Sequence, residues 1–226
     1  MNAIDKNTVS PYNQLEEKNE IYFIGSENPS KKVLILGNSI TLHGVKPKTG
    51  WYGNWGMAAS CKEKDYVHIL YDKVKKAVPD VQFCIAQVAR WEVGFFKEET
   101  LSSYMSLKDY NPDIVILRFG ENVQKRLYEV YPFEENYVKF METLLPLDTA
   151  NLIFTTSFWH HTFFDPILEK YCRKYGGTLV RLGDLGDIDD MKAIGLWEDE
   201  GIQNHPGDLG MQKIADRIYD GMKKFL

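Results

Sequence analysis

Val33-Leu34-Ile35-Leu36-Gly37-Asn38-Ser39-Ile40-Thr41 decides the fold. Its first four residues are apolar without a break. A strand with one wet face alternates apolar and polar residues, whereas a strand covered on both faces does not. Strands of the second kind belong to parallel sheets, where crossover helices cover both sides. Gly37 ends the run and Ser39 follows at once, so Ser39 falls at the carboxyl end of a buried strand.

Similar short runs recur along the chain at Val81 to Val88, Ile114-Val115-Ile116-Leu117, Leu152 to Thr156 and Thr178 to Leu182. Between them lie helical patterns at 57–78, 97–108, about 132–145 and 163–175, with a last one from about 207 to 225. Pro79 stops the first, and Asn111-Pro112-Asp113 makes a turn after the second. Pro132 opens the third, with Glu134 and Glu135 in its first turn, where a helix favours acids. Gly176-Gly177 stops the fourth. Strands alternating with helices imply an α/β fold of three layers around a doubly wound, parallel, five-stranded sheet. Residues 1–30 read as a polar lead-in whose patch Ile21-Tyr22-Phe23-Ile24 can add an edge strand, and residues 31–226 as one domain. Ligands of such sheets sit outside the carboxyl ends of the strands, so the residues just past each strand are the ones to inspect.

The 226 residues suit one such domain. A formal net charge of −5 argues against a nucleic-acid partner, which calls for a basic face. No apolar run approaches the ~20 residues that span a bilayer. Cys61, Cys84 and Cys172 show no CxxC spacing, and an odd number argues against a disulfide framework. Cys84 and Cys172 read as core residues of a strand and a helix. No basic and then apolar leader pattern follows Met1. The compartment stays open, cytoplasmic or exported.

Three strand ends carry candidate chemistry. Ser39 is a weak nucleophile until a base takes its proton, and by itself it could equally cap the next segment. Gly120-Glu121-Asn122, past Arg118, combines close backbone approach with a side-chain amide donor suited to an oxyanion. Ser157-Phe158-Trp159-His160-His161 can wall the crevice; no carboxylate or thiol stands at ligand spacing beside its histidines, so no metal and no cofactor is expected. Asn204-His205-Pro206 precedes the last helix, where a loop histidine can turn toward the crevice. Glu92 and Arg118, charges at the ends of buried strands, are expected to pair with each other.

Gly37-Asn38-Ser39-Ile40, Gly120-Glu121-Asn122 and Asn204-His205-Pro206, in this order at these places, resemble three motifs of the SGNH/GDSL hydrolase superfamily. That family's first motif is Gly-Asp-Ser-Leu, where this chain has Asn38 and Ile40. Its third is Gly-x-Asn-Asp, where Val123 replaces the last Asp. The resemblance runs from about Val33 to the C-terminus and implies a flavodoxin-like hydrolase fold. It further implies Ser39 as nucleophile, His205 as base and Asn122 as oxyanion donor. The family's second motif supplies a glycine N–H to the oxyanion hole. Arg90 fills that slot here, with Gly56 a poorer substitute. The family keeps Asp three residues before the histidine, where this chain has Ile202. Three candidates remain to orient His205: a backbone carbonyl of the Glu200–Ile202 stretch, the Glu200 carboxylate, or another acid. Members act on acetylated sugars, small esters, lysophospholipids and thioesters. Trp51, Tyr52, Trp55, Trp91 and Trp159 near the crevice favour an acetylated sugar as substrate, with loop packing their plainer explanation. A lysophospholipase or thioesterase, or a carbohydrate-binding member without catalysis, are the alternatives.

Overall fold

The computed structural model of the chain describes residues 20–226, so most of the lead-in, residues 1–19, lies outside the described part. Six strands form one sheet: β1 (Ile21–Gly25), β2 (Lys32–Gly37), β3 (Gln82–Gln87), β4 (Ile114–Arg118), β5 (Asn151–Thr155) and β6 (Thr178–Val180), in the order β1-β3-β2-β4-β5-β6. β2 through β6 pair in parallel, as the uninterrupted apolar runs require. β1 adds an antiparallel edge, with Ile21 opposite Ala86. The chain moves from β2 outward to β3, then returns to β4 on the other side of β2, so the direction of winding reverses at β2 and the crevice opens there.

Burial alternates along the strands by face, not by exposure. Val33, Ile35, Phe83, Ile85, Ile114 and Ile116 enter one core, and Leu34, Leu36, Cys84, Ala86, Val115 and Leu117 enter the other. The first core is covered by α1 (Tyr66–Ala77) and α8 (Asp208–Met222), through Leu70, Val74, Ile214 and Ile218. The second is covered by α5 (Phe133–Leu144) and α6 (Phe164–Lys174), through Tyr137, Phe140, Leu168 and Tyr171. Shorter helices α2 (Ala89–Gly94), α3 (Glu98–Ser102), α4 (Lys125–Tyr128) and α7 (Glu200–Gln203) lie in the connections. Each large apolar side chain withdrawn from water contributes roughly 1.5–3 kcal/mol, and the two cores supply most of the stabilisation.

Two helices differ from the sequence expectation. The pattern at 57–78 becomes helix only from Tyr66, because Asp65 caps it by accepting the His68 N–H at 2.8 Å. The preceding stretch is broken at Ala58, which takes a φ of 75°, and holds only a 3-10 turn at Lys62–Lys64. The pattern at 97–108 breaks into α3 and a 3-10 turn at Met105–Asp109.

Candidate active site

The turn after β2 aims Ser39 at the crevice. Its backbone is set by bonds from the Thr41 and Leu42 N–H groups to the Asn38 carbonyl, 2.9 Å each, and from the Met57 N–H to the Ser39 carbonyl at 2.8 Å. Gly37 is required here: a Cβ would stand 1.8 Å from Thr41 Oγ1. Across the crevice, Asp199 caps α7 by accepting the Ile202 N–H at 3.0 Å, and His205 follows this short helix. Ile202 is 2% exposed. At the position of the family's aspartate this chain therefore has an apolar pin, which holds α7 against the core.

The two side chains meet. Ser39 Oγ lies 2.9 Å from His205 Nε2, and His205 Nδ1 lies 2.7 Å from the Gly201 carbonyl oxygen. A carbonyl only accepts, so Nδ1 carries the proton and donates to it. Nε2 is then a bare lone pair, and the Ser39 hydroxyl donates to it. Burial holds the imidazole below the usual histidine range; the Gly201 carbonyl opposes this and His43 adds to it. Trp159 packs edge-on against the ring, with centroids 5.4 Å apart at 84°.

Beneath Ser39 lies a buried polar cluster. Glu92, on α2, is 0% exposed. It accepts from the Gly120 N–H, from Asn122 Nδ2 at 2.6 Å and from Asn38 Nδ2 at 3.2 Å. Burial, and Glu121 nearby, raise its carboxyl above the usual range despite these donors. Gly120 has a φ of 137°, and a Cβ there would meet the Phe164 ring at 2.1 Å, so the loop that carries Asn122 depends on this glycine. Arg118 does not pair with Glu92 as expected. It bonds Glu121 at 2.6 Å, three residues on, and Glu121 also accepts the Phe158 N–H at 2.9 Å. Burial works to raise Glu121, but Arg118, Phe158 and Asn38 outweigh it and bring its carboxyl below the usual range. Glu92 keeps no cation, because Arg118 reaches Glu121 within its own turn.

A cleft of about 310 Å³ opens over these groups, lined by Ser39, Asn122, His205, Trp159, Lys46 and Asp199 among others. Sequence reasoning gave no sign of Lys46, His43 or Thr49, which reach the cleft from the loop after Leu42. Two expected residues are not brought to it. Arg90 lies outside the lining and its guanidinium bonds Glu20 at 3.1 Å, a contact of the side chain, whereas the oxyanion-hole expectation concerned its backbone N–H. Glu200 is exposed, and the Gly201 carbonyl occupies the Nδ1–H that its carboxylate was to take. The tryptophans largely pack inward. Trp51, Trp55 and Trp91 are at most 3% exposed; Trp51 and Trp55 give their N–H groups to the carbonyls of His43 and Ala59. Trp159 alone of the five aromatic candidates lines the cleft. Among the described residues no group of three or more His, Cys, Asp or Glu side chains is placed to hold a metal ion, and no helix is long and apolar enough to cross a membrane.

No family model and no curated protein matches this sequence. Solved structures do resemble the fold. A GDSL-like lipase from Bacteroides uniformis matches with a TM-score of 0.55 and 19% identity, over 86% of this chain and 96% of that one. A two-domain esterase active on acetylated mannans gives 0.52 and 18%, over 86% and 49%, and a family two carbohydrate esterase from Cellvibrio japonicus 0.51 and 16%, over 87% and 62%. The chain thus spans about half the length of the first esterase and under two thirds of the second. Sheet order, the Ser39 turn and these matches agree that the chain has the fold of the SGNH/GDSL hydrolases.

Proposed function

We propose that the protein is a serine esterase that hydrolyses small acyl esters, with O-acetyl groups on carbohydrates as its substrates. The observation that carries this is the relay from Ser39 Oγ through the His205 ring to the Gly201 carbonyl, open to a cleft. Ser39 Oγ attacks the ester carbonyl carbon while Nε2 takes its proton. The negative oxygen of the tetrahedral intermediate takes hydrogen bonds from the Ser39 N–H and the Asn122 amide, whose second hydrogen is not held by Glu92. His205 gives its proton to the leaving alcohol. It then takes one from a water that attacks the acyl-Ser39 ester, and the acid departs. The Gly201 carbonyl orients the ring and stabilises its cation as a dipole, more weakly than a carboxylate would.

The base follows from the same geometry. His205 is active when neutral, and its pKa is held below the ordinary value near ~6.5. The kcat/KM profile is expected to rise through an inflection below that value and to be flat by neutral pH. An inflection above it would assign the base elsewhere or give His205 a carboxylate partner. Glu200→Gln is expected to change kcat by less than about threefold, far from the ~10⁴ of a neutralised triad acid. Loss of nearly all activity in the folded variant would make Glu200 the orienting group.

The size and lining of the cleft select the acyl group. At about 310 Å³ it stands at the small end for ligand pockets, and Lys46, Asp199 and Glu121 around it suit hydroxyls better than methylenes. Acetyl esters are expected to be hydrolysed at least about tenfold faster, in kcat/KM, than octanoyl esters of the same alcohol, since methylenes that stay in water beyond the short apolar stretch of Met57, Trp159 and Ile202 contribute nothing. Deacetylation of acetylated sugars, assayed beside p-nitrophenyl esters of rising length, is the direct test. Rates that climb to octanoyl would make the enzyme a lysophospholipase or thioesterase.

A further inference from the structure

The cluster beneath Ser39 assigns work to two residues that the ester reaction does not itself name. Glu92 meets N–H donors on both carboxylate oxygens. Oε1 takes Gly120, Asn38 Nδ2 at 3.2 Å and the Asn122 backbone at 3.5 Å; Oε2 takes Asn122 Nδ2 at 2.6 Å. An ionised carboxylate is the acceptor that such a ring of donors fits. One side chain thereby bonds both the backbone and the amide of Asn122. The amide plane is set, with one hydrogen on Glu92 and the other left for a different acceptor. Glu92 is fully buried, and its helix is anchored beside it. Its neighbour Trp91 is 1% exposed and packs on Phe140, Phe119 and Phe133.

Asn38 makes this arrangement compatible with Glu121. Its Nδ2 bridges Glu92 Oε1 and Glu121 Oε2, at 3.2 and 2.5 Å, and its Oδ1 accepts the Ile40 N–H at 3.3 Å. Arg118 neutralises Glu121 only. Asp in place of Asn38, as the Gly-Asp-Ser-Leu pattern has it, would bring a third carboxylate to two and remove the Nδ2 hydrogens that bridge them. Like charges in a buried site cannot all ionise without large cost.

We infer that Glu92 is a positioning residue that holds the Asn122 amide ready for the oxyanion, and that Asn38 is the bridge that lets Glu92 and Glu121 share one buried cluster. The inference rests on Asn122 acting as oxyanion donor. The test compares the wild type with Ser39→Ala, Glu92→Gln, Asn38→Asp and the double variant Asn38→Asp/Glu121→Gln, on p-nitrophenyl acetate, with thermal unfolding of each. A Gln at 92 turns a donor toward the Asn122 amide and rotates it out of place. Glu92→Gln should therefore lose ~10–100-fold in kcat, short of the ~10²–10³ for a donor removed outright, with KM within about twofold. A merely structural role would lower the unfolding temperature and leave kcat of the folded protein alone. Asn38→Asp should be less stable and less active. The double variant, which sets a Gln amide opposite the new carboxylate, should regain at least about tenfold of that loss in kcat. A kcat within twofold of wild type in folded Glu92→Gln, or an Asn38→Asp protein as stable and active as wild type, overturns the inference while leaving the esterase in place. If Glu92→Gln does not fold, the Asn38→Asp pair decides, and absence of rescue counts against it. An active Ser39→Ala removes the esterase assignment and this inference together.

Discussion

Ser39→Ala is expected to lose ester hydrolysis to the level of the uncatalysed reaction plus whatever the oxyanion donors alone contribute, a fall of ~10⁶ in kcat by analogy with other serine hydrolases. The reason is that Ser39 carries the hydroxyl placed against the His205 base. The only partner of His205 Nε2 among the described residues is Ser39 Oγ, at 2.9 Å. The fold should survive. Ser39 is half-buried at the rim, and the bonds that shape its turn run through the Asn38 and Ser39 carbonyls and the Asn38 side chain, which alanine leaves in place. Unfolding temperature and circular dichroism should match wild type. Turnover above about one hundredth of wild type in a folded Ser39→Ala protein would end the proposal.

Asn122→Ala should lower kcat by ~10²–10³, the usual loss for one oxyanion donor, with little change in KM. Its cost does not stop at the reaction. The Asn122 amide is one of the donors that neutralise the buried Glu92, and removing it leaves Oε2 without its 2.6 Å partner. A buried polar group stripped of a partner costs ~1–3 kcal/mol, more when charged, so the variant should also unfold at a lower temperature. Both losses are expected together, and kcat measured well below the unfolding transition separates them. A raised KM at constant kcat would make Asn122 a substrate-binding residue instead.

How far the sequence could be read follows from the kind of group concerned. Val33 to Leu36 announced a strand buried on both faces because a run of apolar side chains is itself a statement about both faces. The meeting of Ser39, Asn122 and His205 at one cleft was legible because each is a polar side chain placed at a strand end or before the last helix. The Gly201 carbonyl was visible only as one of three choices, since every residue carries a carbonyl and nothing in the sequence marks which one faces His205. The expected Glu92–Arg118 pair failed for a local reason. Arg118 ends β4 and Glu121 lies three residues on, so they meet without a long-range closure, and Glu92 is left to N–H donors supplied by a fold that periodicity does not describe. The tryptophans misled because an aromatic in a loop can face either way. Trp51 and Trp55 have N–H groups that found buried carbonyls, and their rings went inward to meet edge-to-face at 5.6 Å. Arg90 was placed by counting from a strand end, and a count does not say which residues line a cleft.

The central claim is that Ser39 is a nucleophile activated by His205 in a cleft open to small esters. Treatment of the folded protein with a small fluorophosphonate, followed by peptide mass mapping, tests it most directly. A single adduct on the peptide that carries Ser39, absent from Ser39→Ala and strongly slowed in His205→Ala, is the result expected. A folded protein that takes up no label at Ser39, or labels equally fast without His205, would contradict it.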